Sequence, residues 1–344
     1  MTPPGPGRRY YSSEDKDLIR ERFDLPLLEA LQSATRSKLR YFGLPGSELL
    51  DVKTWRHLLS HVSAVERRRD DLETIEAVLE TDCSDLRSCV HFGDVDLVIL
   101  RNRGNRRDVG GQTHQPWVGT RYDPTLRRQV WDFDVVNLDY FGPFLPPETG
   151  STGRKKDRAN ALRKLFDIER QDAWKQWVLL VTVEAALLDQ EDKVRLRRYL
   201  SSISADAETS RVIDFLTAGT GHSVEDTVRL LHGVSAALFS YAASNANLDA
   251  CPRGTVLYRG AADRPMIHLA YQFRPRQEPI GAPVSIVRLL RAPILRPKNP
   301  AAHPWFELLP AQAPGITSEA IEACLDFMNS TCRGAIAGTA RGTN

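Results

Sequence analysis

The chain has 344 residues, 42% of them hydrophobic, and a formal charge of +2. That composition supports one large folded domain or two ordinary ones and excludes a wholly disordered chain or a strongly basic nucleic-acid coat. No stretch approaches the roughly 20 apolar residues that cross a bilayer, and the Pro/Gly-rich start from Met1 to Arg9 has no apolar signal region, so a cytoplasmic protein without a membrane partner is expected.

Residues 1–14 read as a disordered N-terminus. Leu18 to Leu39 reads as helical, with Leu18, Phe23, Leu27, Leu28 and Leu31 toward a core and Pro26 interrupting it. A short strand from Leu39 ends in the turn Gly43-Leu-Pro-Gly46. Leu49 to His61 fits a helix, Val62 to Glu66 an apolar strand closed by an acid, and Arg67 to Leu79 a charged helix. The third strand is either Leu86 to Phe92 or Val95 to Leu100, around Gly93-Asp94. Phe133 to Leu138 supplies the fourth and Trp177 to Val183 the fifth, separated by a helix from Arg158 to Trp174. Strands of nearly continuous apolar residues alternating with helices predict an α/β fold, a mostly parallel sheet covered on both faces.

Beyond Gln190 the pattern changes. Val194 to Leu200 and Val224 to Ala246 read as helices, Thr255 to Arg259 and Met266 to Phe273 as two strands around a turn, Ser285 to Leu290 as a further strand, and Thr317 to Met328 as a last helix. The expected division is a Rossmann-like domain over 15–190 with an insertion at 101–129, a mixed helical and β region over 191–335, and a loose tail at 336–344.

The segment Phe133-Asp-Val-Val-Asn-Leu-Asp-Tyr-Phe-Gly142 is the most informative. Ligands collect at the carboxyl ends of strands in open α/β sheets, and an acid beside aromatics there suits a planar, nitrogen-bearing substrate. The other strand ends carry Gly43 and Gly46, Glu66, and Gly93 with Asp94. Glycines admit close backbone approach, and an acid ending the second strand can accept from ribose hydroxyls. No full GxGxxG is present, so a pyrophosphate cofactor is disfavoured. The chain has five cysteines without CxxC spacing, and His57 and His61 lie beside Trp55 and Leu58 as structural residues, so neither a disulfide framework nor a metal is expected.

In this order Gly43/Gly46, Glu66, Asp94 and Asp139-Tyr-Phe-Gly142 resemble class I S-adenosylmethionine-dependent methyltransferases. Asn137-Leu-Asp-Tyr-Phe-Gly142 is similar to the motif of amino-group methyltransferases, and closer to that of the tRNA guanine-dimethylating enzymes; the chain also resembles three-Cys-motif partner proteins. The resemblance covers about residues 38–185. It implies a Rossmann-like methyltransferase sheet and S-adenosylmethionine as cofactor, with Gly43, Gly46 and Gly93 lining it, Glu66 on the ribose and Asp94 on the adenine. Asp139 would hold the target amine, and Tyr140 or Phe141 would stack on the base. The sequence departs from the family where Tyr140 replaces the proline after the motif acid. The implied activity is N-methylation of a nucleobase in RNA or DNA; the alternative is a catalytically silent interaction protein of the same fold, in a nucleic-acid-processing or defence complex with a protein partner.

The chain holds 37 Arg against 9 Lys, and arginine forks suit phosphates and bases. Arg101, Arg103, Arg106, Arg107, Arg121, Arg127 and Arg128, with Trp117 and Tyr122 interleaved, outnumber Asp108 and Asp123. This is the composition of a nucleic-acid groove, and Arg154, Lys155 and Lys156 follow the motif as a second basic cluster.

Overall fold

The computed structural model describes residues 13–101, 105–108, 120–123, 128–131, 133–144, 158–169, 175–185, 223–260, 263–276, 292–298 and 305–309, with positions 194, 198 and 289 singly. Over 101–131, and at Phe141 and Pro143, only backbone is described.

The N-terminal helical stretch is broken where Pro26 requires it. Helix α1 (Glu14–Ile19) passes through a π-turn at Arg20–Asp24 into α2 (Leu25–Thr35), with Pro26 in the first turn of α2. Proline has no N–H to return to the preceding turn, and a widened turn accommodates that loss. Strand β1 (Leu39–Gly43) follows, then α3 (Leu50–Trp55), β2 (Leu59–Glu66), α4 (Arg69–Thr81), β3 (Arg87–Phe92) and α5 (Val95–Arg101). Of the two alternatives for the third strand, the first is a strand and the second is this helix. A helix expected to reach His61 instead stops at Trp55, and β2 begins seven residues' worth of chain before Glu66, at Leu59.

Four short or long strands come next: β4 (Asn105–Asp108), β5 (Thr120–Asp123), β6 (Arg128–Trp131) and β7 (Val135–Pro143). Helix α6 (Arg158–Glu169), β8 (Trp177–Glu184), α7 (Val224–Asn245), β9 (Leu248–Arg259), β10 (Pro265–Pro275), β11 (Ile294–Pro297) and β12 (Phe306–Leu308) complete the described chain.

The large sheet has the order β12-β11-β9-β10-β8-β7-β1-β2-β3-β4. Strands β3, β2, β1, β7 and β8 run parallel, and β10 enters antiparallel between β8 and β9. This is the Rossmann-like α/β sheet expected from the alternating pattern. The C-terminal strands extend the same sheet rather than building a second one, and β5 and β6 form a separate hairpin.

Each face of the sheet has its own core. On one face Leu28 and Leu31 of α2, Val52 and Trp55 of α3, and Leu72, Ile75 and Leu79 of α4 pack on Tyr41, Val62, Val135, Val178 and Leu180. On the other, Val98, Leu162, Leu165, Phe166 and Phe239 pack on Phe42, Val136, Leu138, Leu179 and Val181. The i, i+3, i+7 spacing of Leu72, Ile75 and Leu79 makes α4 one-sided, and each such side chain contributes about 1.5–3 kcal/mol on burial. Strand β9 begins well before the expected Thr255 because Pro252 masks it in the sequence. That proline sits opposite Tyr271, where the register with β10 shifts and a missing ladder donor is tolerated.

Strands β11 and β12 were not expected. The expected strand at Ser285 to Leu290 and helices at Val194 to Leu200 and Thr317 to Met328 lie outside the described residues, isolated positions aside.

Candidate functional site

Parallel pairing brings the four expected turns to one rim. Gly43 is level with Ala64 of β2 and Asn137 of β7, and Ala64 with Val90 of β3. Two residues further on, Glu66 is level with Phe92, and Asp139 with Thr182 of β8. Gly46 and Gly93-Asp94 thus follow the carboxyl ends of β1 and β3, Glu66 is the last residue of β2, and Asp139 lies within the carboxyl half of β7.

The two glycines of the first turn have different reasons. A Cβ on Gly43 would lie 2.1 Å from the Asn137 carbonyl oxygen, which also accepts from the Leu44 N–H at 2.9 Å. Gly43 thus lets β1 and β7 close together, and its position is filled by protein. Gly46 has φ +68°, in the left-handed region where glycine is at ease.

Glu66 Oε1 accepts from the backbone N–H groups of Arg67 and Arg68, both at 2.8 Å. With that one oxygen it orders the entry to α4. The Gly93 N–H donates to the Glu66 carbonyl at 2.9 Å. Asp94 is the start of α5: its Oδ1 accepts from the Asp96 N–H at 3.1 Å and its carbonyl from the Val98 N–H at 2.9 Å.

Asp139 and Tyr140 separate. Side chains of a strand alternate between faces, so adjacent residues on β7 point opposite ways. Tyr140 is 3% exposed. Its hydroxyl donates to Asp96 Oδ1 at 2.8 Å, and the Arg158 guanidinium lies 4.3 Å from its ring centre. Burial, with the Asp96 charge next, pushes its phenol well above the ordinary value and keeps it a donor. The expected stacking role for Tyr140 is therefore corrected: its ring face is covered by Arg158, and it belongs to the core. Phe141 lies on β7, with its side chain outside the described set.

Asp139 faces α1 and forms an ion pair with Lys16, each side chain 17% exposed. Around it lies a polar cluster that sequence reasoning missed. Arg20 pairs with Asp51 and Asp17; burial alone would lower its pKa, but these two carboxylates raise it. Asn137 Nδ2 donates to Asp51 Oδ2 at 2.7 Å. His268 Nε2 lies 2.8 Å from Asp24 Oδ1, and the Thr182 hydroxyl lies 2.9 Å from its Nδ1. Burial raises the Asp24 pKa, and His268 partly offsets that. Asp139, Thr182 and His268 occupy one cross-strand row over β7, β8 and β10. A cavity of about 20 Å³ remains between them, with Tyr258 in its wall. The available signal was the spacing of Lys16, Arg20 and Asp24, polar positions four apart on a helical stretch that also carries Leu18, Ile19 and Phe23.

Of the basic segment, the backbone of Arg106 and Arg107 lies on β4, opposite His91 and Val90 of β3. Arg121 and Arg128 lie on the β5–β6 hairpin, and Arg101 ends α5. Arg103, Trp117, Arg127, Lys155 and Lys156 lie outside the described residues. Among the described residues there is no cluster of three metal-ligating side chains, and no helix is long and apolar enough to cross a membrane.

No family model matches this chain, and no curated protein matches it. Solved structures do. Trm1 from Pyrococcus horikoshii, in complex with S-adenosyl-L-methionine, aligns at 13% identity and TM-score 0.39, over 77% of this chain and 57% of that one. An rRNA methylase from Streptococcus thermophilus aligns at 8% identity and TM-score 0.35, over 77% and 99%. An O-methyltransferase from Bacillus cereus in complex with SAH aligns at 11% identity and TM-score 0.33, over 72% and 80%.

Proposed function

We propose that this chain is an S-adenosylmethionine-dependent N-methyltransferase acting on a nucleobase of RNA or DNA. The observation that supports it is the carboxyl side of the parallel strands, which carries Gly46, Glu66, Gly93-Asp94 and Asp139. Three carboxylates along one rim disfavour a pyrophosphate and suit a phosphate-free, cationic nucleoside. Glu66 would take the ribose with its other oxygen, Asp94 the adenine amine, and the Gly46 turn the methionine part. Asp139 would accept a hydrogen bond from the target amine and hold its lone pair toward the methyl group. S-adenosylmethionine supplies an electrophilic methyl on its sulfonium, so the protein's contribution is chiefly positioning. The basic 101–128 segment and Lys155–Lys156 would carry the phosphate backbone, with affinity falling steeply as salt rises. A cytoplasmic location is part of the same reading.

A second reading has its own observation. Asp139 is held by Lys16 and Tyr140 is in the core, which suits a silent relative serving as an interaction protein in a nucleic-acid-processing or defence complex. Calorimetry with S-adenosylmethionine and with NAD, followed by transfer assays on mixed tRNA and DNA, separates the two. The first reading expects binding of S-adenosylmethionine alone, lost in Glu66→Ala, and transfer lost in Asp139→Ala with cofactor binding intact. Binding without turnover on any substrate selects the second reading; no binding ends the first.

A further inference from the structure

The ion pair between Lys16 and Asp139 joins residues 123 apart in sequence. It lies on β7, four residues before the strand ends at Pro143, in the row that also holds Thr182 and His268. Resting on the methyltransferase reading, we infer that α1 is a plug: the Lys16 ammonium occupies the place at Asp139 that a substrate nitrogen takes, and α1 must move before the site can act.

Three observations carry this. The cavity beside the pair is about 20 Å³ among the described residues, too small for a nucleobase amine while Lys16 is in place. The ammonium has no lone pair, so it fills the acceptor position of Asp139 without being a nucleophile. The attachment of α1 is lopsided. Its outer end is held by exposed hydrogen bonds, Ser13 Oγ donating to the Arg259 carbonyl at 2.8 Å and the Arg259 N–H donating to Asp15 at 3.1 Å. Its inner end buries Leu18 and Ile19 and runs through the π-turn, where Arg20 and Asp24 are buried, into α2, anchored by Leu27, Leu28 and Leu31. Water can replace the outer contacts, whereas the inner ones belong to the core, so the π-turn is the place for a hinge.

The test uses the full chain and three measurements. Labelling with an amine-reactive acetyl ester, read by peptide mass, should leave Lys16 protected relative to Lys53 in the wild type and label it in Asp139→Asn. The variant Lys16→Met keeps the side-chain length and removes the charge; a thermal melt checks that it folds. With unchanged S-adenosylmethionine affinity by calorimetry, it should methylate mixed tRNA or DNA at least about tenfold faster at low substrate, because apparent affinity scales with the open fraction. Equal rates in Lys16→Met and wild type overturn the plug, as does Lys16 labelling as fast as Lys53, or a methyl group found on Lys16. Cofactor binding with equal rates defeats the plug alone, whereas absence of cofactor binding defeats the reading on which it rests, and the plug with it.

Discussion

Tyr140 shows how a single pleat decides which residues share a site. The hydrogen bond from its phenol to Asp96 lies within the core face of β7, while Asp139 one residue earlier meets Lys16 across the other face. Tyr140→Phe should therefore destabilise the fold by about 1–3 kcal/mol, because it removes a donor from a buried carboxylate, and urea denaturation reads this directly. A base-stacking Tyr140 predicts the opposite pattern, unchanged stability and little change in binding, since phenylalanine stacks as well. Asp139 itself was legible in the sequence as an acid closing an apolar run. Its partner was not, because an ion pair across 123 residues leaves no local mark. The separation of Asp139 from Tyr140 was legible in principle from the two-residue period, but a motif read as a block hides it.

At the scale of elements, the π-turn between α1 and α2 presents Asp24 to His268 inside the protein. Its raised pKa means that the folded chain holds the Asp24 proton to higher pH than the unfolded chain does. The stability that Asp24 contributes is thus fully present below its unfolded pKa, about 4, and is lost as pH rises through the folded value. Asp24→Asn should flatten that part of the curve, so denaturation midpoints of variant and wild type should differ in their change between about pH 4 and pH 7. Parallel curves would show that Asp24 titrates alike in both states. The break at Pro26 was readable from proline's missing donor, whereas the π-turn was not, because Arg20 takes Asp51 from α3 and Asp24 takes His268 from β10, far along the chain. Similarly, the helix expected to run to His61 yields at Trp55, since Leu59 and Val62 are needed in β2, where both are fully buried.

For the whole molecule, a ligand gripping four strand ends at once should stabilise the entire sheet. S-adenosylmethionine at about 100 times its Kd should add about 2.7 kcal/mol to unfolding, seen as a rise in Tm that NAD does not give and that Glu66→Ala loses. The parallel core was legible because its strands are buried on both faces and read as continuous apolar runs. The sheet's far side was not: β11 and β12 are short, and β9 hides behind Pro252. That β9 to β12 continue the first sheet follows from β10 pairing with β8, a contact between segments that no local pattern connects.

The place of β1 in the middle of that sheet has a cost during synthesis. On one side it joins β2, made soon after it; on the other its partner is β7, and the Arg40 N–H meets the Asp134 carboxylate across 94 residues. At a translation rate of ~5–20 residues per second the later edge stays open for roughly 5–20 s. In that interval a nascent chain carries Leu39, Tyr41 and Phe42 on a strand with one open edge, the kind of edge that recruits a neighbouring chain. Nascent chains arrested before residue 133 should therefore need a chaperone to stay monomeric, and the full chain should not.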